Sequence, residues 1–125
     1  RQDIDFDNTN AKLLADSWLF AKERLKSLNV IGRSLNNDPE DAKLIKQYIN
    51  IAFSAFEWDE VIRGIKKADE AGLKDDGKFA LMKGIAYFEK KSITNAKNSF
   101  IEASNSKEYK DQGIAWLEYL EALNG

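Results

Sequence analysis

Apolar residues recur every three or four positions along most of the chain, and this period most constrains the fold. The stripe Leu14, Trp18, Ala21, Leu25 and Leu28 illustrates it. Such spacing places side chains on one face of a helix. The alternation of β-branched residues that indicates strands is absent, and Ala, Lys, Leu and Glu dominate. The chain is therefore predicted to be all-α.

Short polar or glycine-containing segments interrupt the helical period at five places. The breaks fall at 36–40, 56–59, 72–77, 91–92 and 105–106. The helices predicted between them span 10–35, 40–56, 58–71, 78–90, 92–104 and 107–123. Helices of this length joined by short turns pack antiparallel with their sequence neighbours.

Residues at the breaks have the chemistry of helix ends. Asp38 is predicted to cap the second helix, with Pro39 in its first turn. Gly72 is placed to end the third helix, and Ser92 is placed to cap the fifth. In the last helix, Ile114, Leu117, Leu120 and Trp116 are predicted to face inward, with Glu118 and Glu121 in solvent.

Composition narrows the function classes. The 125 residues suit one domain, and 43% apolar with 32% charged residues argues against disorder. The net charge of −2 disfavours a nucleic-acid binder. Because Cys and His are both absent, thiolate chemistry, the commonest general base and the commonest metal ligand are missing. The sequence predicts no enzyme, no metal, no cofactor and no membrane insertion. Because it begins at Arg1, we interpret the chain as a fragment or a processed product.

An internal repeat organises the helices. Trp58, Val61, Ile65 and Ala68 correspond to Ile93, Ala96, Phe100 and Ala103, each 35 residues further along. The closing position of successive units holds Pro39, Leu73 and Glu108, at spacings of 34 and 35. A helix–turn–helix unit with this period is the signature of a repeat architecture.

The last full unit carries a family resemblance. Gly84 and Tyr87 are followed at the family spacing by Ala96, Phe100 and Ala103, and this pattern resembles a tetratricopeptide repeat. The sequence departs from that pattern at Ala80, Lys83 and Glu108. Small residues at 84, 96 and 103 are expected to let the paired helices approach closely, while 87 and 100 fill the gap.

The resemblance implies an antiparallel solenoid within a single domain, 10–123. It comprises a degenerate unit 10–39, units 40–76 and 77–106 and a capping helix 107–123, after a loosely ordered segment 1–9. The first unit lacks a break residue near 21–24, so 10–35 is either two helices or one long helix. The alternative for this segment is a helix outside the repeat that caps the array.

A narrower resemblance covers about 40–122. The loop 72–78, the run 84–88 and the terminal run 115–120 are together similar to the C-terminal end of bacterial periplasmic tetratricopeptide proteins associated with TonB-type energy-transduction systems. This resemblance implies a periplasmic location and partners in a TonB-type transport assembly. The alternative location is the cytoplasm.

The tetratricopeptide resemblance also implies a partner-binding groove along the first helix of each unit. Its predicted members are Lys43, Lys46, Asn50, Phe53, Lys78, Leu81, Ile85 and Phe88. Lys46 and Asn50 lie where chaperone-binding members of the family hold a peptide carboxylate. Met82 stands where the next unit would need Asn, so a full clamp is not supported. The alternative is that both are solvated polar residues.

The three tryptophans have two possible roles. Trp18, Trp58 and Trp116 are either partner anchors or packing residues.

Two acidic pairs could serve as catalytic carboxylates: Asp75–Asp76 and Glu57–Glu60. Both pairs sit at turns or helix starts, where acids favour the helix dipole, so we interpret them as structural.

The function predicted from the sequence is a protein–protein interaction scaffold that holds a peptide or partner segment in its groove. The alternative is a chaperone-type adaptor that recognises C-terminal carboxylates. The sequence does not indicate an oligomeric state.

Overall fold

A computed structural model describes residues 22–124, and the predictions for 1–21 lie outside these residues. The first helix, α1, is continuous over 22–37 in the described part. The others are α2 (Ala42–Ser54), α3 (Trp58–Glu70), α4 (Lys78–Glu89), α5 (Ile93–Ser104) and α6 (Lys110–Asn124). Across these residues there is no strand, and the all-α prediction is confirmed.

Consecutive helices pack against one another as an array of antiparallel pairs. α2 packs on α3, α3 on α4, α4 on α5 and α5 on α6. The second helix of each pair begins at Trp58 and at Ile93, the spacing expected from the sequence repeat. Residues 22–124 therefore form an all-α helical-repeat array closed by α6.

Three successive helices end in the same backbone motif. Phe56, Gly72 and Lys91 follow the caps of α2, α3 and α4, with φ of 59°, 72° and 65°. After each, the next N–H donates to a carbonyl five residues earlier, as Leu73 does to Ala68 at 2.9 Å. The prediction that Gly72 ends a helix is confirmed. Three residues connect α2 to α3 and α4 to α5, and the longer loop 71–77 connects α3 to α4. The motif starts the chain reversal that keeps neighbouring helices antiparallel.

Two predicted caps differ in detail. The carboxylate of Asp41, rather than Asp38, accepts the first-turn N–H of Leu44 at 3.1 Å. Asp38 instead closes the preceding helix, because its N–H donates to the Ser34 carbonyl at 3.0 Å. Ser92 does occupy the cap position of α5, but its hydroxyl accepts from the side-chain amide of Asn95 at 2.8 Å.

The interior divides into two apolar clusters that meet at α4. The first cluster joins α1, α2 and α3 to Phe79, Met82 and Ala86 of α4. The second joins α5 and α6 to other α4 residues, including Leu81 and Ile85. A helix that lies between two neighbours needs apolar residues on both sides, and α4 has them.

Close helix approach in the second pair depends on a glycine. A Cβ on Gly84 would lie 2.5 Å from Cε1 of Phe100, so the phenyl ring fills the space above the glycine. Ala96, Phe100 and Ala103 are fully buried. The predicted packing of large against small residues in this unit is confirmed.

α6 turns inward three of the four residues predicted, and Glu118 and Glu121 are exposed as predicted. Leu120 is buried as expected, and Trp116 and Leu117 pack partly buried beside it. Ile114 is 37% exposed, so its inward placement was wrong. The reason is Gly113, where a Cβ would come within 2.7 Å of the Ser104 nitrogen; the close backbone approach there sets the rotation of α6. No helix within 22–124 has the length and apolar character to span a membrane.

Candidate functional site

Three of the predicted groove residues come together around one hollow. Lys46 and Asn50 reach it from α2, and Lys78 reaches it from the start of α4. We call this cavity of about 310 Å³ the lysine hollow. Its lining residues are Lys46, Asn50, Lys74, Asp75, Asp76, Lys78, Phe79 and Tyr109.

The floor of the lysine hollow is fixed by the start of α4. The Asp75 carboxylate accepts the N–H of Gly77 at 3.3 Å and the N–H of Phe79 in the first helical turn. A carboxylate in this position satisfies otherwise unpaired N–H groups and interacts favourably with the helix dipole. The interpretation of Asp75 as a structural residue agrees with these bonds.

The outer wall is tied to the turn before α6. The Ser106 hydroxyl donates to the carbonyl of Asp76 and accepts the N–H of Tyr109 at 3.3 Å. Gly77 has φ 98°, and a Cβ there would lie 2.4 Å from the Cβ of Ser106. Only glycine fits this position without displacing its neighbour. These bonds place Tyr109 at the hollow.

The electrostatics of the hollow favour an anion. Lys46, Lys74 and Lys78 are exposed, and none is a member of the ion pairs found within 22–124. The hollow also holds two negative charges, Asp75 and Asp76. The carboxylate of Asp75 already accepts two backbone N–H groups. The arrangement can offer ammonium donors and the Asn50 amide to a carboxylate.

The remaining predicted groove residues lie elsewhere. Lys43 is exposed on α2 outside the lysine hollow. Phe53 packs edge-on against Trp58, with ring centroids 5.4 Å apart. Leu81, Ile85 and Phe88 are half-buried and pack against the second cluster. The eight residues therefore do not line one continuous depression.

Three lining residues were not singled out from the sequence: Lys74, Phe79 and Tyr109. Lys74 precedes α4 and Tyr109 precedes α6, and they are 35 residues apart, at equivalent positions of successive units. The repeat period identifies Lys74 and Tyr109 once it is extended from the helices into the connecting loops.

A second, larger hollow of about 720 Å³ lies between α1 and α3. At its edge the Tyr48 hydroxyl donates to the Glu60 carboxylate, which also pairs with Arg63 at 2.9 Å. Burial first, and then the bond to Glu60, raise the pKa of Tyr48 well above its ordinary value of 10.0. Glu60 is thus held by structural partners, which agrees with its structural interpretation.

Two of the tryptophans predicted as anchors or packing residues are neither fully buried nor fully exposed. Trp58 and Trp116 are both half-buried, and Trp18 lies outside the described residues. Trp116 stacks on Phe100 with ring centroids 4.9 Å apart and planes 5° from parallel. Packing therefore accounts for one face of the indole ring.

No protein-family model matches the chain, and neither does any curated protein or solved structure. In the described part of the chain, no group of three or more Asp, Glu, His or Cys residues is arranged to hold a metal ion.

Proposed function

We propose that the chain is an interaction module of the tetratricopeptide type that binds a segment of a partner protein across α2 and α4. The observation that carries this proposal is the convergence of Lys46, Asn50 and Lys78 on one hollow. By resemblance, the first two correspond to a carboxylate-binding pair, and Lys78 occupies a groove position of the next unit. Lys74 adds a third ammonium group to the same hollow.

The group bound in the lysine hollow is a carboxylate. Ammonium-to-carboxylate bonds are stronger than neutral hydrogen bonds, and an amide adds direction to them. A cavity of about 310 Å³ accommodates a carboxylate together with the peptide unit that bears it. The carboxylate comes either from an acidic side chain within the segment or from the chain end of a C-terminal peptide.

The test begins with a random peptide library displayed with free C-termini. The best peptide selected on the full chain is then titrated in its acid form and as its C-terminal amide. Loss of binding on amidation favours the chaperone-type adaptor, which recognises a C-terminal carboxylate. Equal binding of both forms, with loss on replacing an acidic side chain, favours the scaffold that holds an internal segment.

A double variant separates binding from folding. Lys46→Ala with Asn50→Ala should weaken binding of the selected peptide by about 1–3 kcal/mol for each charge-assisted bond lost. Both residues are exposed, so the free energy of unfolding should change by only about half a kcal/mol. The matched control is Lys97→Ala, an exposed lysine on α5, which should bind like the parent chain. Unaltered binding by the double variant would refute the proposed site.

The setting in a periplasmic TonB-type assembly is proposed from the sequence resemblance across 40–122 alone. It predicts that the full-length open reading frame carries an export signal and neighbours genes of an energised transport system. A frame without an export signal, expressed in the cytoplasm, would contradict this setting and leave the peptide-binding proposal to its own test.

A further inference from the structure

Three aromatic rings form a second concave surface at the end of the array. We call this cavity of about 300 Å³ the aromatic hollow; it is lined by Phe88, Ala115, Trp116 and Tyr119. Phe88 and Tyr119 lie 5.3 Å and 5.9 Å from Trp116 between ring centroids, with Trp116 and Tyr119 nearly perpendicular at 86°. The small side chain of Ala115 leaves the space open.

The aromatic hollow is rigidly supported. Trp116 stacks on Phe100, and Phe100 is itself fully buried over Gly84. Tyr119 remains 49% exposed, so part of its ring is available to a ligand. Because the rings are already held by packing, a ligand would not have to order them on binding.

Two carboxylates neighbour the lining residue Ala115 on the surface of α6. Asp111 precedes Ala115 by four residues and Glu118 follows it by three, so all three lie on one face of α6. Both acids are exposed, and neither belongs to an ion pair within 22–124. Lys90, two residues after Phe88, forms an ion pair with Asp59 of the preceding unit, so its charge is already paired. The charge around the rings therefore complements a cation.

We propose that the aromatic hollow binds an arginine side chain of a partner protein. The guanidinium plane stacks on the exposed Tyr119 ring, with its edge toward Trp116, and pairs with the carboxylate of Asp111 or Glu118. Arginine suits this site better than lysine because its guanidinium is planar, weakly hydrated and able to stack on aromatic faces while donating to a carboxylate. The aromatic and lysine hollows share no lining residue, so each assignment stands or fails separately.

The probe is the capped tripeptide acetyl-glycyl-arginyl-glycine amide, titrated into the full chain. Binding is followed by the NMR shift of the Trp116 indole N–H, identified from its loss in Trp116→Phe. The matched probe replaces arginine by citrulline, which has nearly the same shape and no charge. We expect the arginine peptide to shift the Trp116 signal and the citrulline peptide to bind about two- to fivefold more weakly.

Variants locate the interaction. Tyr119→Ala should weaken binding of the arginine peptide by about two- to fivefold. Asp111→Asn with Glu118→Gln should abolish the weakening of binding by added salt, because that effect requires the carboxylates. Glu70→Gln, an exposed acid on α3, is the control and should leave binding unchanged. The proposal is overturned if citrulline binds as tightly as arginine, if Tyr119→Ala has no effect, or if the Trp116 signal does not move.

Discussion

Gly64 of α3 lies against the side chain of Ile49 of α2, where a Cβ on the glycine would come within 2.8 Å of Ile49 Cγ1. The next pair reverses this arrangement, because there the glycine, Gly84, is on the first helix and the large residue, Phe100, is on the second. Ile49 occupies the position equivalent to Gly84, 35 residues earlier. Each pair thus keeps one close contact between a glycine and a large side chain, built from opposite helices.

Gly84→Ala should destabilise the chain. The added methyl overlaps the fully buried Phe100 ring, and overpacking of this kind costs about 1–3 kcal/mol. The free energy of unfolding in urea measures it. Gly32→Ala is the control: its Cβ would sit 3.4 Å from Tyr48, an ordinary contact, and alanine has the higher helix propensity. Equal stability of the two variants would contradict the packing described for Gly84.

The two glycines of the α3–α4 loop should respond differently to alanine. Gly72 has φ 72° and open space around it, so Gly72→Ala should cost only the left-handed backbone penalty, about 1–2 kcal/mol. Gly77→Ala should cost more, because its Cβ also meets Ser106. A double-mutant cycle with Ser106→Gly separates this contact from the loss of the Ser106 hydrogen bonds, and the cost of Gly77→Ala should be smaller in the Ser106→Gly background. Thermal melts give the comparison, and equal costs for the two single variants would refute the close contact.

Stability at alkaline pH should depend on Tyr48. Its folded-state pKa is raised by burial and by the bond to Glu60, so the folded chain keeps a proton that the unfolded chain loses above about pH 10. The contribution of the Tyr48 proton to the free energy of unfolding is therefore fully present below that pH and is lost as the pH rises further. Between neutral and strongly alkaline pH, the free energy of unfolding of Tyr48→Phe should fall less than that of the parent chain. Urea titrations at each pH measure both values. Identical pH slopes would show that Tyr48 titrates normally in the fold.

Trp116→Ala should reduce the free energy of unfolding by about 2–3 kcal/mol. This value lies below the range for a fully buried tryptophan because the ring is half-buried. Trp116→Phe should retain most of that stability by preserving a stacked ring over Phe100. If both variants melt like the parent chain, the indole does not support the fold.

The helical period identified α2 to α5 from the sequence, with ends within about two residues of those observed, because glycines and polar residues mark the turns. The Gly84–Phe100 contact followed from the repeat pattern as well. In α6 the apolar period placed Leu117 and Leu120 correctly but misplaced Ile114, because the close approach of Gly113 to the backbone of α5 sets the rotation of this helix. The aromatic hollow was missed for a related reason: Phe88 meets Trp116 and Tyr119 only through the tertiary path of the chain.

The position of α4 between the two apolar clusters has a consequence for how the array opens. Both apolar clusters pack against α4, so α4 can detach only if both clusters come apart. Opening from either end of the array leaves α4 packed on its remaining neighbour. Its backbone amides should therefore exchange with deuterated solvent last, after those of α2 and α6, and their exchange rate should report the unfolding of the whole chain.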